Sequence, residues 1–143
     1  MTFSYEHQVE LYKPKLMVLR VVMMIDNLAA GTDEAGSFIY TFEQDVEILG
    51  YHCTIYKKGA STNGQVGGAF QDPGAKPKLG VANMAWFEGG IRKAVYRYAF
   101  PTPILYEADD KMEFEIYAQN ADGSNAVDNA HMTWHILCRR KKA

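Results

Sequence analysis

Residues 111–118 constrain the fold more than any other stretch. Met112, Phe114, Ile116 and Ala118 alternate strictly with Lys111, Glu113, Glu115 and Tyr117. A period of two is the mark of a β-strand with one face in a core and the other in water. The same period runs through Phe38, Tyr40 and Phe42 and resumes at Val46 and Ile48, with Glu43, Asp45 and Glu47 on the opposite face. After Gly50 the apolar parity moves to Tyr51, Cys53 and Ile55. A glycine at a change of parity predicts a bulge or sharp bend. Met132, Trp134, Ile136 and Cys138 form a further stripe near the C-terminus.

Residues 16–25 are nearly continuously apolar, and Val18, Val21, Val22 and Ile25 favour a central strand covered on both faces. Two aromatic-rich runs, 81–87 and 93–100, flank Glu88, Gly89 and Gly90, which predicts a hairpin. Pro101 and Pro103 should end its second arm, because neither can donate to a ladder. Glu107, Ala108, Asp109 and Asp110 read as a turn. The pattern contains about seven to eight strands and no long helix. The expected fold is all-β, an antiparallel β-sandwich or jelly-roll-like barrel forming a single domain over 1–143. Residues 1–12 are expected as an N-terminal arm, 139–143 as a basic tail, and 59–78 and 120–129 as long loops.

A chain of 143 residues with 13% aromatic residues can build a core without metal or disulfide, and is not disordered. The net charge of −2 argues against simple nucleic-acid binding. Its distribution is uneven. Setting Arg139, Arg140, Lys141 and Lys142 aside leaves eleven basic against seventeen acidic groups, a net of −6. The opening residues carry no secretory pattern, and the longest apolar run is too short to span a bilayer, so a soluble protein made in the cytoplasm is expected. Cys53 and Cys138 fit no metal spacing and sit in apolar runs, which favours buried thiols; a disulfide requires neighbouring strands.

Tests for chemistry return little. His131 and His135 have a helix zinc spacing, but on a strand they stand about 13 Å apart and cannot share an ion. His7 and His52 are isolated and supply no third ligand. Asn120, Asp122, Asn125, Asp128 and Asn129 offer hard oxygen donors, yet Gly123 and His131 break the EF-hand order, so the loop is expected to cap its own backbone. No nucleophile elbow, phosphate loop or Cys–His signature is present. The expectation is a protein that is not an enzyme and needs no cofactor or metal. Arg139, Arg140, Lys141 and Lys142 read either as a solubilising terminus or as a contact for an acidic neighbour or nucleic acid, and partner contacts are expected there and at Phe70, a lone large apolar residue in a glycine-rich segment. Phe70 must either fold back onto its own domain or insert into a partner, since exposure forgoes about 1.5–3 kcal/mol.

The runs from Phe42 to Gly50, from Phe100 to Tyr106 and from Phe114 to Asn120 together resemble the small β-sandwich proteins of bacteriophage virions, the decoration (cement) and minor capsid components. The resemblance covers residues 16–140 and implies a non-enzymatic subunit that decorates or stabilises a capsid through loop and arm contacts. It further implies self-association, contact with a major capsid protein and residence in the virion. The alternative is a carbohydrate-binding β-sandwich module using outward aromatics such as Tyr117 and Tyr56.

Overall fold

The computed structural model describes residues 2–12, 15–73, 78–86 and 88–141. Phe87, part of the first predicted hairpin arm, and Lys142 of the basic tail lie outside the described residues. Nine strands form among them: β1 (Thr2–Leu11), β2 (Leu16–Leu28), β3 (Asp33–Thr41), β4 (Val46–Gly59), β5 (Gly64–Gln71), β6 (Gly80–Trp86), β7 (Gly90–Tyr106), β8 (Lys111–Asn120) and β9 (Val127–Arg140). They make two antiparallel sheets, β1-β2-β9-β4-β7 and β3-β8-β5-β6. From β2 onward the chain changes sheet at every connection except β5 to β6. This is a jelly roll, with β1 added as a fifth strand.

The alternation seen in the sequence sets which side chains meet between the sheets. Met112, Phe114, Ile116 and Ala118 of β8 face Met132, Trp134, Ile136 and Cys138 of β9 across a core with essentially no solvent access. β2 buries Met17, Leu19, Val21, Met23 and Ile25, while Val18, Arg20 and Met24 on its other side are only half-buried. The expectation that both faces of this strand are covered is therefore corrected. The two sheets cover it from one side, and Val22 alone is buried among its outward residues.

Gly50 sits at the predicted irregularity. The register of β4 against both neighbours shifts between Ile48 and Gly50. A Cβ at Gly50 would stand 2.4 Å from the carbonyl oxygen of Tyr98, so the close approach requires glycine. On β7 the same irregularity takes up Phe100, Pro101, Thr102 and Pro103, since Ala99 faces Gly50 and Ile104 faces Ile48. The two prolines do not end the strand as expected. β7 is an edge strand, and prolines are tolerated where no ladder bond is needed.

Three further expectations change. The segment 81–87 and 93–100 is not a hairpin, because β6 belongs to one sheet and β7 to the other. The expected arm 1–12 does not project where it is described: β1, Thr2–Leu11, pairs with β2 along its full length, and Met1 lies outside the described residues. Residues 59–78 are not one long loop, because 64–71 form β5, an interior strand between β8 and β6. Its glycines hid it from a propensity-based reading.

Phe70 lies on that strand, with no exposed surface. Its ring packs edge-on to Trp134 at 5.1 Å and to Tyr51 at 5.2 Å, and against Phe114 at 5.9 Å. Phe70 therefore folds back onto its own domain, which corrects the partner-contact expectation. Burial among aromatic rings recovers the transfer energy that exposure would have forgone. Phe70→Ala should lower the unfolding free energy by about 3–5 kcal/mol in chemical denaturation, the cost of a large cavity at a rigid centre.

Candidate functional site

The connections gather at the two ends of the sandwich. At one end, Asn120 is buried and donates Nδ2 to the carbonyls of Ala29 (3.1 Å) and Asn125 (2.9 Å), while its Oδ1 accepts from Ser61 Oγ at 2.7 Å. Ser61 Oγ in turn accepts from Trp86 Nε1 at 3.0 Å. Lys57, also buried, donates Nζ to the carbonyls of Ser61 (2.7 Å), Gly59 (3.0 Å) and Glu88 (3.2 Å). Burial pushes its ammonium pKa down, and Arg92 adds to the effect. These buried polar groups are satisfied within the fold and are structural.

Asp122 behaves as the self-capping reading expects. One carboxylate oxygen accepts from the N–H of Ser124 (2.9 Å) and of Asn125 (3.1 Å), the other from the N–H of Thr62 (3.1 Å). These hydrogen bonds, Ser124 first, hold its pKa well below the ordinary 3.8. Asp128 and Asn129 do not join it, because they already lie on β9. Cys53 and Cys138 are free and buried on adjacent strands β4 and β9, but out of register: Cys53 faces Trp134, and Cys138 faces Ile48. Burial raises both thiols, Cys138 to about 12, so neither is a nucleophile at neutral pH.

The basic segment is not a free tail. β9 runs through Arg139 and Arg140. Arg139 Nε and Lys141 Nζ approach Glu47 Oε1 at 3.4 and 3.6 Å. The backbone N–H of Arg140 donates to Lys15 O, and that of Lys141 to Asp45 O. Three of the four basic residues are thus held against β4, the β3–β4 connection and the β1–β2 connection. The structure brings them together but leaves them partly neutralised.

Two surface features stand out, the first absent from the sequence reading and the second built around Tyr117, which that reading named as an outward aromatic. The first is the distribution of exposed apolar side chains. Apart from Leu16 and Leu137, they lie on or beside the four edge strands: Tyr5, Val9, Leu11 and Tyr12 at β1, Ile39 on β3, Val81 on β6, and Ile91, Val95, Tyr98 and Leu105 on β7. The edges pair into two seams. At one, Tyr5 stacks on Phe38 across the sheets at 4.6 Å, and a groove of about 310 Å³ is lined by Val9, Leu11 and Met17 together with the polar His7, Glu43 and Gln44. At the other, Tyr96 Oη donates to Asn83 O, tying β7 to β6. Ile91 there is 62% exposed and Val81 57%.

The second feature is the outward face of β3-β8-β5-β6. Tyr117 of β8 faces Gly67 of β5. A Cβ at Gly67 would meet the Tyr117 hydroxyl at 2.7 Å, so glycine lets the tyrosine lie across the neighbouring strand. Around it Asn83 donates to Tyr117 Oη (2.8 Å) and to Gln65 (3.2 Å), and Gln65 donates to Gln119 (3.2 Å). Gln71 bridges Glu113 and Glu115 at 2.9 Å each, and Lys78 closes onto Gln71 and Glu115 at 3.0 Å. The result is a level surface of amides, carboxylates and one aromatic ring.

His131 and His135 lie on the outward face of β9 beside Thr133, as their strand spacing expects. His52 is not isolated: β4 brings its ring centroid to 5.5 Å from that of His135. Tyr56, the other outward aromatic, sits 5.6 Å from His131. Among the described residues no group of three or more His, Cys, Asp or Glu side chains is placed to hold a metal ion, and no helix is long and apolar enough to cross a membrane.

No family model matches the chain, and no curated protein matches it. Among solved structures, the decameric BFDV capsid protein aligns over 90% of this chain and 100% of that one, at 7% identity and a TM-score of 0.46. The Cowpea Mosaic Virus empty virus-like particle aligns over 89% and 80%, at 9% identity and 0.44. TmCBM61 in complex with beta-1,4-galactotriose aligns over 91% and 86%, at 8% identity and 0.42. At these scores none of the likenesses bears on what the chain does.

Asp122 yields a pH signature. Its depressed folded pKa gives stability that is present above 3.8 and lost as pH falls below that value toward the folded pKa. In acid unfolding monitored by circular dichroism, Asp122→Ala should unfold at a lower temperature than the parent at pH 7, and the difference should shrink as pH drops below 3.8.

Proposed function

We propose that the chain is a non-enzymatic structural subunit of a virion, a capsid decoration or stabilising protein that contacts neighbouring copies and the major capsid protein along its two seams. The observation that carries this reading is the concentration of exposed apolar side chains on the edge strands, Leu16 and Leu137 apart. Burying a valine or isoleucine side chain is worth about 1.5–3 kcal/mol, so the side chains exposed along an edge gain stability when a neighbouring subunit covers them. The two seams differ in sequence and shape. A heterologous contact between unlike edges builds a ring when its rotation closes and an open filament when it does not, and a particle subunit needs the first.

The alternative reading is a carbohydrate-binding module, and the Tyr117 face favours it. An aromatic ring beside held amides and carboxylates supplies a stacking platform and hydrogen-bond partners suited to a sugar ring. Gly67 and the Asn83 contact fix the ring in place before any ligand arrives, which limits the ordering cost of binding.

Sedimentation at rising protein concentration, alone and with shells of the major capsid protein, tests the first reading. The parent chain should self-associate or co-sediment, and Ile91→Lys with Val95→Lys should abolish this without shifting the unfolding temperature, since both side chains are exposed. A parent that stays monomeric at high concentration and leaves the shells in solution overturns it. For the alternative, glycan-array binding that disappears in Tyr117→Ala is the supporting outcome, and no binding to any glycan removes it.

A further inference from the structure

On the outward face of the five-stranded sheet, the register aligns Arg20 of β2, His135 of β9, His52 of β4 and Arg97 of β7 in one unbroken row. Arg20 faces His135, His135 faces His52, and His52 faces Arg97. With strands spaced roughly 4.8 Å apart, the row is about 14 Å long. Like charges directly opposite one another destabilise a sheet. Arg20 and Arg97 carry charge at the two ends, and once His52 and His135 protonate the row becomes four like charges in succession that need a compensating anion.

Acidic compensation is confined to one end. Glu6 of β1 reaches Arg20 at 3.8 Å, and Glu10 acts on His135. Elsewhere on this face Asp26 lies 3.5 Å from His131, and Glu47 is taken by Arg139 and Lys141. At the β7 end Lys93 adds a further cation on the same side, with Tyr56 of β4 opposite it. Among the described residues neither Arg97 nor Lys93 has an acidic partner within 4 Å. His135 Nδ1 is buried without a hydrogen-bond partner, which favours the neutral tautomer with its proton on Nε2.

We propose that this Arg–His–His–Arg row is a binding strip for a multivalent oxyanion of the sulfate or phosphate-ester class, taken up as the imidazoles protonate. The two guanidiniums supply permanent charge and fork geometry, and the imidazoles between them add two N–H donors and two charges. The titration direction agrees with this geometry. Burial first, and then Arg97, lowers the His52 pKa below 6.5; burial, His52 and Arg20 lower that of His135, against Glu10. Without an anion, protonation of the row costs stability as pH falls through 6.5, because the unfolded chain takes up those protons more readily. A bound dianion reverses that balance and raises both pKa values.

Sulfate is the discriminating probe because it stays dianionic between about pH 5 and 8, so any pH dependence belongs to the protein. In imidazole NMR titrations of the full chain with sodium sulfate, against sodium chloride at equal ionic strength, His52 and His135 should shift saturably at about pH 5.5. Affinity should fall about tenfold or more at about pH 7.5, one pKa unit of coupling being about tenfold. Arg97→Gln should weaken binding at both pH values, and His52→Gln with His135→Gln should abolish the pH dependence. His7 and His131 serve as internal controls. Shifts that do not saturate, that are equal at His7 and His131, or that persist unchanged in Arg97→Gln overturn the proposal. If the double histidine variant does not fold, the sulfate-induced rise in unfolding temperature of the parent against Arg97→Gln decides it. Repeating the titration with a sugar sulfate and a sugar phosphate then tells which ester the strip prefers.

Discussion

A sandwich whose two sheets do not close on each other has four edges, and the rest of this molecule is organised around that fact. The interior is settled by alternation: each strand sends every second side chain inward, and the aromatic group of Phe70, Trp134, Tyr51 and Phe114 fills the centre. The lateral seams cannot be settled in the same way. Inward positions on β1 and β7 have only half a partner opposite them, so Tyr5, Val9, Leu11 and Tyr98 stay wet despite pointing the same way as buried neighbours. Apolar exposure at the seams is thus a consequence of topology, and assembly is one way a protein can put it to use.

The ends of the sandwich show the opposite solution. Connections from four different crossings meet at Asn120, Ser61, Trp86 and Lys57, where side chains supply the hydrogen bonds that loop backbone would otherwise lack. Asp122 extends the same network to the solvent side. These polar residues look like ligands when read one by one, and their partners identify them as fasteners of the fold.

Three surfaces remain available for contact, and two of them meet on β7, where Val95 lies between Lys93 and Arg97 on the outward face. The seams are apolar, the outward face of the four-stranded sheet is amide-rich around Tyr117, and the outward face of the five-stranded sheet carries a cationic row. A subunit joined laterally through its seams would leave the Tyr117 face open, whereas a contact at Val95 would compete for the Lys93 and Arg97 end of the cationic row. The structural reading and a ligand on the Tyr117 face are therefore compatible.

The sequence alone determined the fold class, the strand identity of residues 38–42, 46–55, 111–118 and 132–138, and the bulge at Gly50, because side-chain parity is a local property with a period of two. It also determined that His131 and His135 stand apart on one outward face. It did not reveal β5, whose glycines carry no parity, nor that β1 is paired and that the basic end is held by Glu47. Only the tertiary structure decided the fate of Phe70, the meeting of His52 with His135, and which outward valines and isoleucines lie at an edge. Those outcomes depend on strand order and register between segments as far apart as residues 20, 52, 97 and 135. No local pattern encodes that pairing, because many registers satisfy the same alternation and only the packing of both sheets selects one.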